Sequence, residues 1–405
     1  MSENLLYHGW GMRGYRVREC ATVITGTTVV ALEPLPNTFR CPRCGSKDVI
    51  RKGMNVRLFL GTPVGSRQMY FEVPIPRVEC KPCGITRQVR ISFADERSRH
   101  TRGFERYALE LARLTTTRNA AEHLGVCWDT IRTIEARYLG KHFARPKLQH
   151  LRRIAIDEIY LGKKMKYLTV VMDLDSGAIV FAGRGKGANA LDPFWKRLRR
   201  TTARIEAVAA DMSPAYAKAV REKLPDALLV NDRFHVIKLY NEMLTELRRE
   251  LYREAATQWE KDILKGTRWL LLKRHENLDH ARREPERLHR ALRLNESLAI
   301  AYYLRDDLNQ FWEQRDKAAA NRFMDAWIMD ALDSGIRLLI KFAKTLAAHR
   351  SGLLAWYEAP ISTGPLEAVN NKIRLLQRQA YGYRNPDFFQ LKVYALHTLG
   401  YALVG

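Results

Sequence analysis

Cysteine is scarce in this chain, with six in 405 residues. Four of the six fall in two short knuckles, which argues against a disulfide framework. Long apolar runs are missing too. The longest weakly apolar stretch, Ala21–Leu32, is broken by threonines and Gly26; it is too short to span a bilayer and reads as a hairpin. Met1-Ser-Glu-Asn-Leu-Leu-Tyr-His8 lacks a basic start followed by an apolar segment, which argues against a secretory signal. We therefore expect cytoplasmic residence and reduced thiols. The third deficit is in acidic charge: 44 Asp and Glu against 68 Lys and Arg leave a formal net charge of +24. The excess is spread along the chain, with 25 basic against 13 acidic residues in 1–150 and 43 against 31 in the remainder. A single basic tail is excluded, and a polyanionic partner contacted along an extended surface is favoured.

The clustered cysteines read as Cys41-Pro-Arg-Cys44-Gly and Cys80-Lys-Pro-Cys83-Gly. Paired CxxC knuckles of this kind place four thiolates around one Zn²⁺, and four protein ligands leave no open position for catalysis, so the zinc is structural. Between the knuckles, Val56–Leu60 and Gln68–Val73 are candidate strands of a zinc-ribbon hairpin. Cys20 and Cys127 lack such spacing and are expected to be small buried residues. Downstream, Thr117–Arg137 follows a helix-turn-helix pattern: Ala121 is small at the helix crossing, Gly125 permits the turn, Val126 packs beneath it, and Ile131 and Ile134 face inward. The second helix would then present Trp128, Asp129, Thr130, Arg132, Thr133 and Arg137 to a DNA major groove. An ordinary helical hairpin would share this pattern, but here it lies between a zinc ribbon and a basic linker (Lys141, Arg145, Lys147, Arg152, Arg153).

From Arg153 onward the pattern changes. Ile154–Tyr160, Lys166–Met172 and Ala178–Ala182 read as strands, Ala190–Arg200 as a helix, Ile205–Asp211 as a strand, Pro214–Leu224 as a helix and Ala227–Val230 as a strand. This β-β-β-α-β-α-β order predicts an α/β ribonuclease-H-like core. Asp157 lies in the first strand and Asp211 ends the fourth. A carboxylate in such apolar surroundings is costly unless it is paired or holds a metal. Oxygen ligands from separate elements suit Mg²⁺, and two such ions about 3.5–4 Å apart serve phosphodiester cutting and rejoining. Asp157 and Glu158 point to opposite faces of their strand; Asp157 is favoured for the site, with Glu158 as runner-up. Asp173 and Asp175 read as turn residues. Asp232 and His235 follow the last strand, where orienting a ligand and a purely structural role weigh equally. Residues 241–355 are nearly Gly-free and helical in period, as in Leu239–Tyr252, Leu298–Trp312 and Phe323–Lys344, and predict an all-α insertion with its aromatic residues mostly in the core. Glu367 then returns on a helix whose Lys372, Arg374 and Arg378 can grip phosphates, with Asn370 a further candidate for orienting a ligand.

The expected segments are 1–95 (N-terminal β region with the ribbon), 96–146 (helix-turn-helix), 147–240 and 356–405 (the two parts of the catalytic domain) and 241–355 (the insertion). Their order, with Ile-Asp157-Glu, Asp211-Met-Ser-Pro-Ala-Tyr, Asn-Asp232-Arg-Phe-His235-Val and Gly-Pro-Leu-Glu367-Ala-Val-Asn-Asn-Lys-Ile-Arg, resembles the ISL-three family of bacterial insertion-sequence transposases over essentially the whole chain. The resemblance implies a DDE transposase that binds terminal inverted repeats and carries out metal-dependent DNA cleavage and strand transfer. Asp157, Asp211 and Glu367 would be the three acids, acting as ligands to two Mg²⁺ (or Mn²⁺) and not as general bases. It also implies nucleoid-associated work as a homodimer or higher oligomer on transposon-end and target DNA. Ala368, where the family often has Gly, and Ser213-Pro214, where an aromatic is frequent, are departures that remove no ligand. Two competing readings are a regulator that binds DNA without catalysis, which would be expected to have lost an acid, and a nuclease that cuts without joining.

Overall fold

In the computed structural model, which describes residues 3–23, 26–163, 165–273 and 275–397, the chain divides into two units. One runs up to Ala144 and adds Arg378–Leu391; the other joins Arg145–Gln377 to Lys392–His397. The first unit opens with α1 (Glu3–Trp10) and strands β1 (Tyr15–Thr22), β2 (Thr28–Pro34), β3 (Val49–Val64), β4 (Arg67–Cys80) and β5 (Thr86–Gln88), ordered β1-β2-β4-β3 with β5 on β4. Alternate β4 residues Met69, Phe71, Val73 and Ile75 are buried, the period of two that a one-sided strand requires. They pack with Leu6, Trp10, Val30, Phe59 and Phe93. The β3–β4 hairpin is longer than the sequence suggested, because its ladder continues until Val49 stands opposite Cys80 and carries both knuckles to its end. In each knuckle the glycine has a positive φ, 76° at Gly45 and 66° at Gly84, and its amide donates to the carbonyl of the first cysteine, at 2.9 and 2.8 Å. This repeated turn gathers the four sulfurs within 4.8 Å of one another, and the Cys44–Cys80 pair is 3.6 Å apart. A tetrahedron of Zn–S bonds has edges of about 3.8 Å.

Next come α2 (Arg102–Leu114), α3 (Thr117–Leu124) and α4 (Trp128–Phe143). Thr101 and Thr116 cap the first two through the amides of Phe104 and Asn119, each at 3.1 Å. Gly125 ends α3 in the left-handed region at φ 62°, and a side chain there would press against Gln68. The Gln68 amide donates to the carbonyls of Leu124 (2.9 Å) and Gly125 (3.1 Å), seating the turn on the hairpin. Phe104, Ala121, Leu124, Ile131 and Ile134 share one core with Leu60 of β3. The two remaining cysteines are exposed, contrary to expectation. Cys20 lies on the edge strand β1, and Cys127 stands at the mouth of the turn as the residue before α4.

The second unit holds β6 (Arg153–Tyr160), β7 (Tyr167–Asp173), β8 (Ile179–Arg184), α5 (Asp192–Leu198), β9 (Ala207–Ala210), α6 (Pro214–Lys223) and β10 (Leu228–Asn231). The sheet order is β10-β9-β6-β7-β8. β6, β7 and β8 run antiparallel, while β9 and β10 are parallel to β6; this is the ribonuclease-H-like arrangement. Ile154 and Ile156 pack under Phe194 and Trp195 of α5 and Tyr216 and Val220 of α6. The predicted basic linker is partly a misreading. Arg152 pairs with Glu206 at 2.9 Å and Arg153, the first residue of β6, pairs with Asp175 of the turn between β7 and β8.

The insertion comprises α7 (Arg233–Glu254), α8 (Gln258–Lys265), α9 (Arg268–Leu272), α10 (Glu284–Leu294), α11 (Glu296–Asn309), α12 (Lys317–Asp333), α13 (Arg337–Ala348) and α14 (Arg350–Leu354). They close on one core that includes Tyr240, Leu244, Leu298, Trp327 and Phe342. Phe323–Lys344 is not one helix. It breaks at Gly335, whose φ of 65° suits the end of α12. Nor are all of its aromatic residues internal: Trp259, Trp269 and Tyr303 are exposed. The chain then returns through α15 (Gly364–Gln379) and α16 (Pro386–Tyr394); residues 398–405 of the last expected segment lie outside the described residues. Among the described residues no helix is long and apolar enough to cross a membrane.

The knuckle geometry yields a prediction. Without a cation the four thiols are unequal: the Cys41 thiol is drawn down to about 6, chiefly by the Cys44 amide, and Cys83 is pushed up to about 12, chiefly by its contact with Cys44. Purified protein should contain one equivalent of zinc by elemental analysis. Cys41→Ser should lower that content sharply while the thermal transition of the second unit persists. Full zinc retention in Cys41→Ser would contradict this ligand set.

Candidate active site

The alternation along β6 decides which acid faces where. Ile154, Ile156 and Glu158 share the face covered by α5 and α6. On that face Glu158 accepts hydrogen bonds from the Tyr216 hydroxyl and from the Gly187 amide, the latter at 2.9 Å. Both bonds go to Oε1, so one carboxylate oxygen of Glu158 is held by the covering layer. Asp157 points the other way, where its Oδ2 accepts from the Asn370 side-chain amide at 2.7 Å. That contact brings α15 onto β6 across 213 residues of sequence.

Asp211 reaches the same level by strand register. β9 runs parallel to β6 with Arg153 opposite Ala207 and Ala155 opposite Ala209. The same offset of 54 residues sets Asp211, the residue after the strand, alongside Asp157. β9 ends sooner than the sequence suggested, at Ala210, which leaves Asp211 past the ladder, its Oδ1 accepting from the Ser213 amide at 3.0 Å. Burial pushes both carboxyls above the ordinary carboxylate range, and each acid's charge environment includes neighbouring acids. Among the described residues neither forms an ion pair with a lysine or arginine. Glu367 sits in the first turn of α15, half-buried, and Asn370 follows three residues later on the same helix face. The three carboxylates are not drawn as tightly together as the cysteines, which are the one group of three or more potential ligands within 4.8 Å among the described residues.

Two neighbours tie the acids to the frame. Asp232, 1% exposed, precedes α7; it accepts from the Thr363 amide at 3.0 Å and contacts His235 Nδ1 at 3.2 Å. Thr363 in turn accepts the Glu367 amide at 2.9 Å, so Asp232 anchors the turn from which α15 starts. Burial would raise the Asp232 carboxyl, but the His235 and Thr363 hydrogen bonds outweigh it and hold it low. His235 is raised, first by its hydrogen bond to Asp232 and further by the charges of Asp157, Asp232 and Asp211, against the effect of burial. The protonated imidazole is thus favoured by the three carboxylates around it. The sequence did not single out Thr363 or His349. The latter's carbonyl accepts from Asn231 at 3.3 Å, and no local pattern marks it. Gly352 of α14 packs so closely on Asn231 that a Cβ would come within 2.6 Å of its side chain.

The residues suggested for DNA contact divide by exposure. Trp128 is 55% exposed and Thr130 is half-buried. Arg132 is held by Asp129 at 2.7 Å and lies over the Trp128 ring. Arg137 pairs with Glu105 of α2, which gives it a part in helix packing. On α15, Lys372 and Arg378 are exposed, and Arg374 donates to Asn371 at 2.8 Å.

With this geometry in hand, comparison with known proteins is direct. Residues 154–393 match a family model described as transposase, residues 89–139 one for the helix-turn-helix domain of transposase family ISL3, and residues 37–83 one for the zinc-finger of transposase IS204/IS1001/IS1096/IS1165. The chain is 30% identical over 375 residues to the transposase for insertion sequence element IS1001 of Bordetella parapertussis, covering 91% of each. It is 30% identical over 373 residues to the transposase for insertion sequence element IS1557 of Mycobacterium tuberculosis, covering 86% of this chain and 83% of the relative. A Drosophila P element transposase strand transfer complex covers 76% of the chain and 94% of its own at 12% identity and a TM-score of 0.42, a likeness too distant to carry a conclusion. The ribbon, the helix-turn-helix and the ribonuclease-H-like core thus match in order and along most of the chain, which belongs to the ISL3 family of DDE transposases.

Proposed function

We propose that Asp157, Asp211 and Glu367 together hold two divalent cations and that the protein uses them to cut at the terminal inverted repeats of its element and to join the freed 3′-hydroxyl to target DNA. The observation that carries this reading is the Asn370–Asp157 hydrogen bond, which brings the helix bearing Glu367 to β6, the neighbour of the strand that Asp211 follows. The donor set fits a hard cation. It is all oxygen, the two aspartates are part-buried without a lysine or arginine partner among the described residues, and the Asn370 side-chain oxygen is buried with no hydrogen-bond partner. Mg²⁺ bound there would neutralise charge on the attacking and leaving oxygens of the phosphodiester.

The protein's own groups have distinct tasks in this reading. Asp232 fixes the start of α15 and with it the reach of Glu367. Asn370 orients Asp157 by donating to its Oδ2, while the Glu158 amide donates to its Oδ1 at 2.7 Å; a cation would use the remaining lone pairs of these oxygens. His235, bonded to Asp232, faces Asp157 and Asp211, and its protonation would temper the repulsion among the acids. In the other unit, α4 reads the transposon end through Trp128, Thr130 and Arg132. Lys372, Arg374 and Arg378 add phosphate contacts that do not depend on sequence. Arg137, already paired, adds little of its own.

The acids should fail as a unit. Asp157→Asn, Asp211→Asn and Glu367→Gln should each reduce cleavage and joining of labelled end DNA by roughly 10³-fold or more, and double variants should lose little further. Glu158→Gln should keep cation-dependent chemistry but lower the melting temperature, since it weakens the Tyr216 contact. Normal cutting by Glu367→Gln would refute the assignment.

Stability gives a second check. A carboxyl whose folded pKa is raised detracts from stability once pH exceeds that value, and its amide analogue does not. Asp157→Asn and Asp211→Asn should therefore melt higher than the parent in chelator at neutral pH. An unchanged or lower transition would count against buried, unpaired acids.

For recognition, Arg132→Ala should narrow the gap in affinity between end and random DNA. Lys372→Ala should weaken both alike and reduce the salt slope by about 0.9, the share of a single phosphate neutralised by one lysine. Competition binding across a salt series separates the two; equal loss of discrimination in both variants would contradict the division of labour.

A further inference from the structure

The insertion carries a basic strip that the site described so far does not use. Arg337, Lys341 and Lys344 lie at spacings of four and three on α13, which aligns them along one face, while Phe342, Ala343 and Leu346 are buried on the other. With Ile340, Thr345 and His349 they line a shallow groove of about 700 Å³. Arg337 is held by Glu250 at 2.5 Å. Lys341 and Lys344 are exposed and have no ion-pair partner among the described residues.

The groove leads to the acids. His349, at its far end, accepts from Asn231 through its backbone carbonyl at 3.3 Å. Asn231 is the last residue of β10 and is paired with Ala210, immediately before Asp211. α13 therefore ends at the edge of the sheet from which Asp211 projects. Its 12 residues span about 18 Å at 1.5 Å per residue, enough for about five nucleotides of one strand at 3.4 Å each.

We infer that the α13 strip, through Lys341 and Lys344, is the binding surface for target DNA, holding its phosphates as the duplex runs past His349 to the acids. This rests on the transposase reading above. The strip's chemistry selects target over transposon end. Its free donors are ammonium groups, which contact phosphate without reading sequence. The one guanidinium that could read a base edge is occupied by Glu250, and no Asn or Gln lines the groove. Recognition of the element's own ends has a dedicated helix elsewhere. A sequence-neutral partner needs only the charge and the path.

The test uses the full chain carrying Lys341→Ala and Lys344→Ala together, exposed changes to a good helix former that should leave the melting temperature unchanged. Three quantities are read: affinity for a random-sequence duplex across a salt series, joining of a pre-cleaved end bearing a 3′-hydroxyl into plasmid, and binding and cleavage of the element's own end. We expect the salt slope for random duplex to fall by about 1.8, two phosphates at about 0.9 each. Joining at sub-saturating plasmid should fall about 10-fold and recover as plasmid is raised, with end binding and cleavage unaltered. Lys341→Arg with Lys344→Arg should restore joining. Unchanged slope and joining would overturn the inference, and so would an equal loss in end cleavage, which would assign the strip to transposon DNA. If the unmodified protein neither cuts nor joins, the transposase reading fails, while the random-duplex affinity still decides whether the strip binds DNA.

Discussion

Asp157 inside β6 and Asp211 just past the end of the parallel strand β9, both part-buried and, among the described residues, neither paired with a lysine or arginine, are the constraint around which the second unit is arranged. The like charges of Asp157 and Asp211 repel in surroundings that solvate them poorly, and a fold tolerates that only when another part of the molecule makes the arrangement useful or offsets it. Here several offsets converge. The Asn370 amide donates to Asp157, the Ser213 amide to Asp211, and the His235 ring is held near both acids by Asp232. The Ser213 contact is local, but Asn370 lies 213 residues from Asp157, so the acids' surroundings depend on the return of α15 after the whole insertion.

The same constraint explains why the two faces of the sheet differ. The face with Glu158 is closed by α5 and α6, and its Oε1 accepts from Tyr216 and Gly187. The other face receives α15, whose Asn370 donates to Asp157 Oδ2 while the Glu158 amide donates to Oδ1. One residue step along β6 thus separates an acid held by the covering helices from one turned towards α15. In the first unit, a similar economy joins folding to function. The hairpin that ends in the cysteine knuckles also holds the helix-turn-helix, because Gln68 grips the turn at Gly125.

Much of this was legible in the residues themselves. The strand order, the knuckles, the Gly125 turn and the opposition of Asp157 and Glu158 follow from short-range pattern: period two, CxxC-Gly spacing, and a glycine where φ must be positive. What was not legible depends on long-range contact. That Asn370 touches Asp157, that Asp232 anchors Thr363, and that His349 ends beside Asn231 are consequences of how the insertion closes, which no local pattern encodes. The exposure of Trp259 and Trp269 was missed for a related reason: helical period locates a buried stripe but not which large residues fall outside it. Cys20 and Cys127 were misjudged because scarcity and size suggested burial, whereas an edge strand and a turn placed them outside. The ion pairs of Arg152 with Glu206, Arg153 with Asp175 and Arg137 with Glu105 join residues 22 to 54 apart in sequence and likewise left no local signal.

The central claim is that Asp157, Asp211 and Glu367 share cations, and locating those cations tests it most directly. Crystals of the protein equilibrated with Mn²⁺ and measured at the manganese absorption edge should show anomalous density between these three side chains, with the Glu367 carboxylate turned towards the strand ends and Glu158 still bound to Tyr216. Density absent from that position, or found against Glu158 instead, would contradict the account.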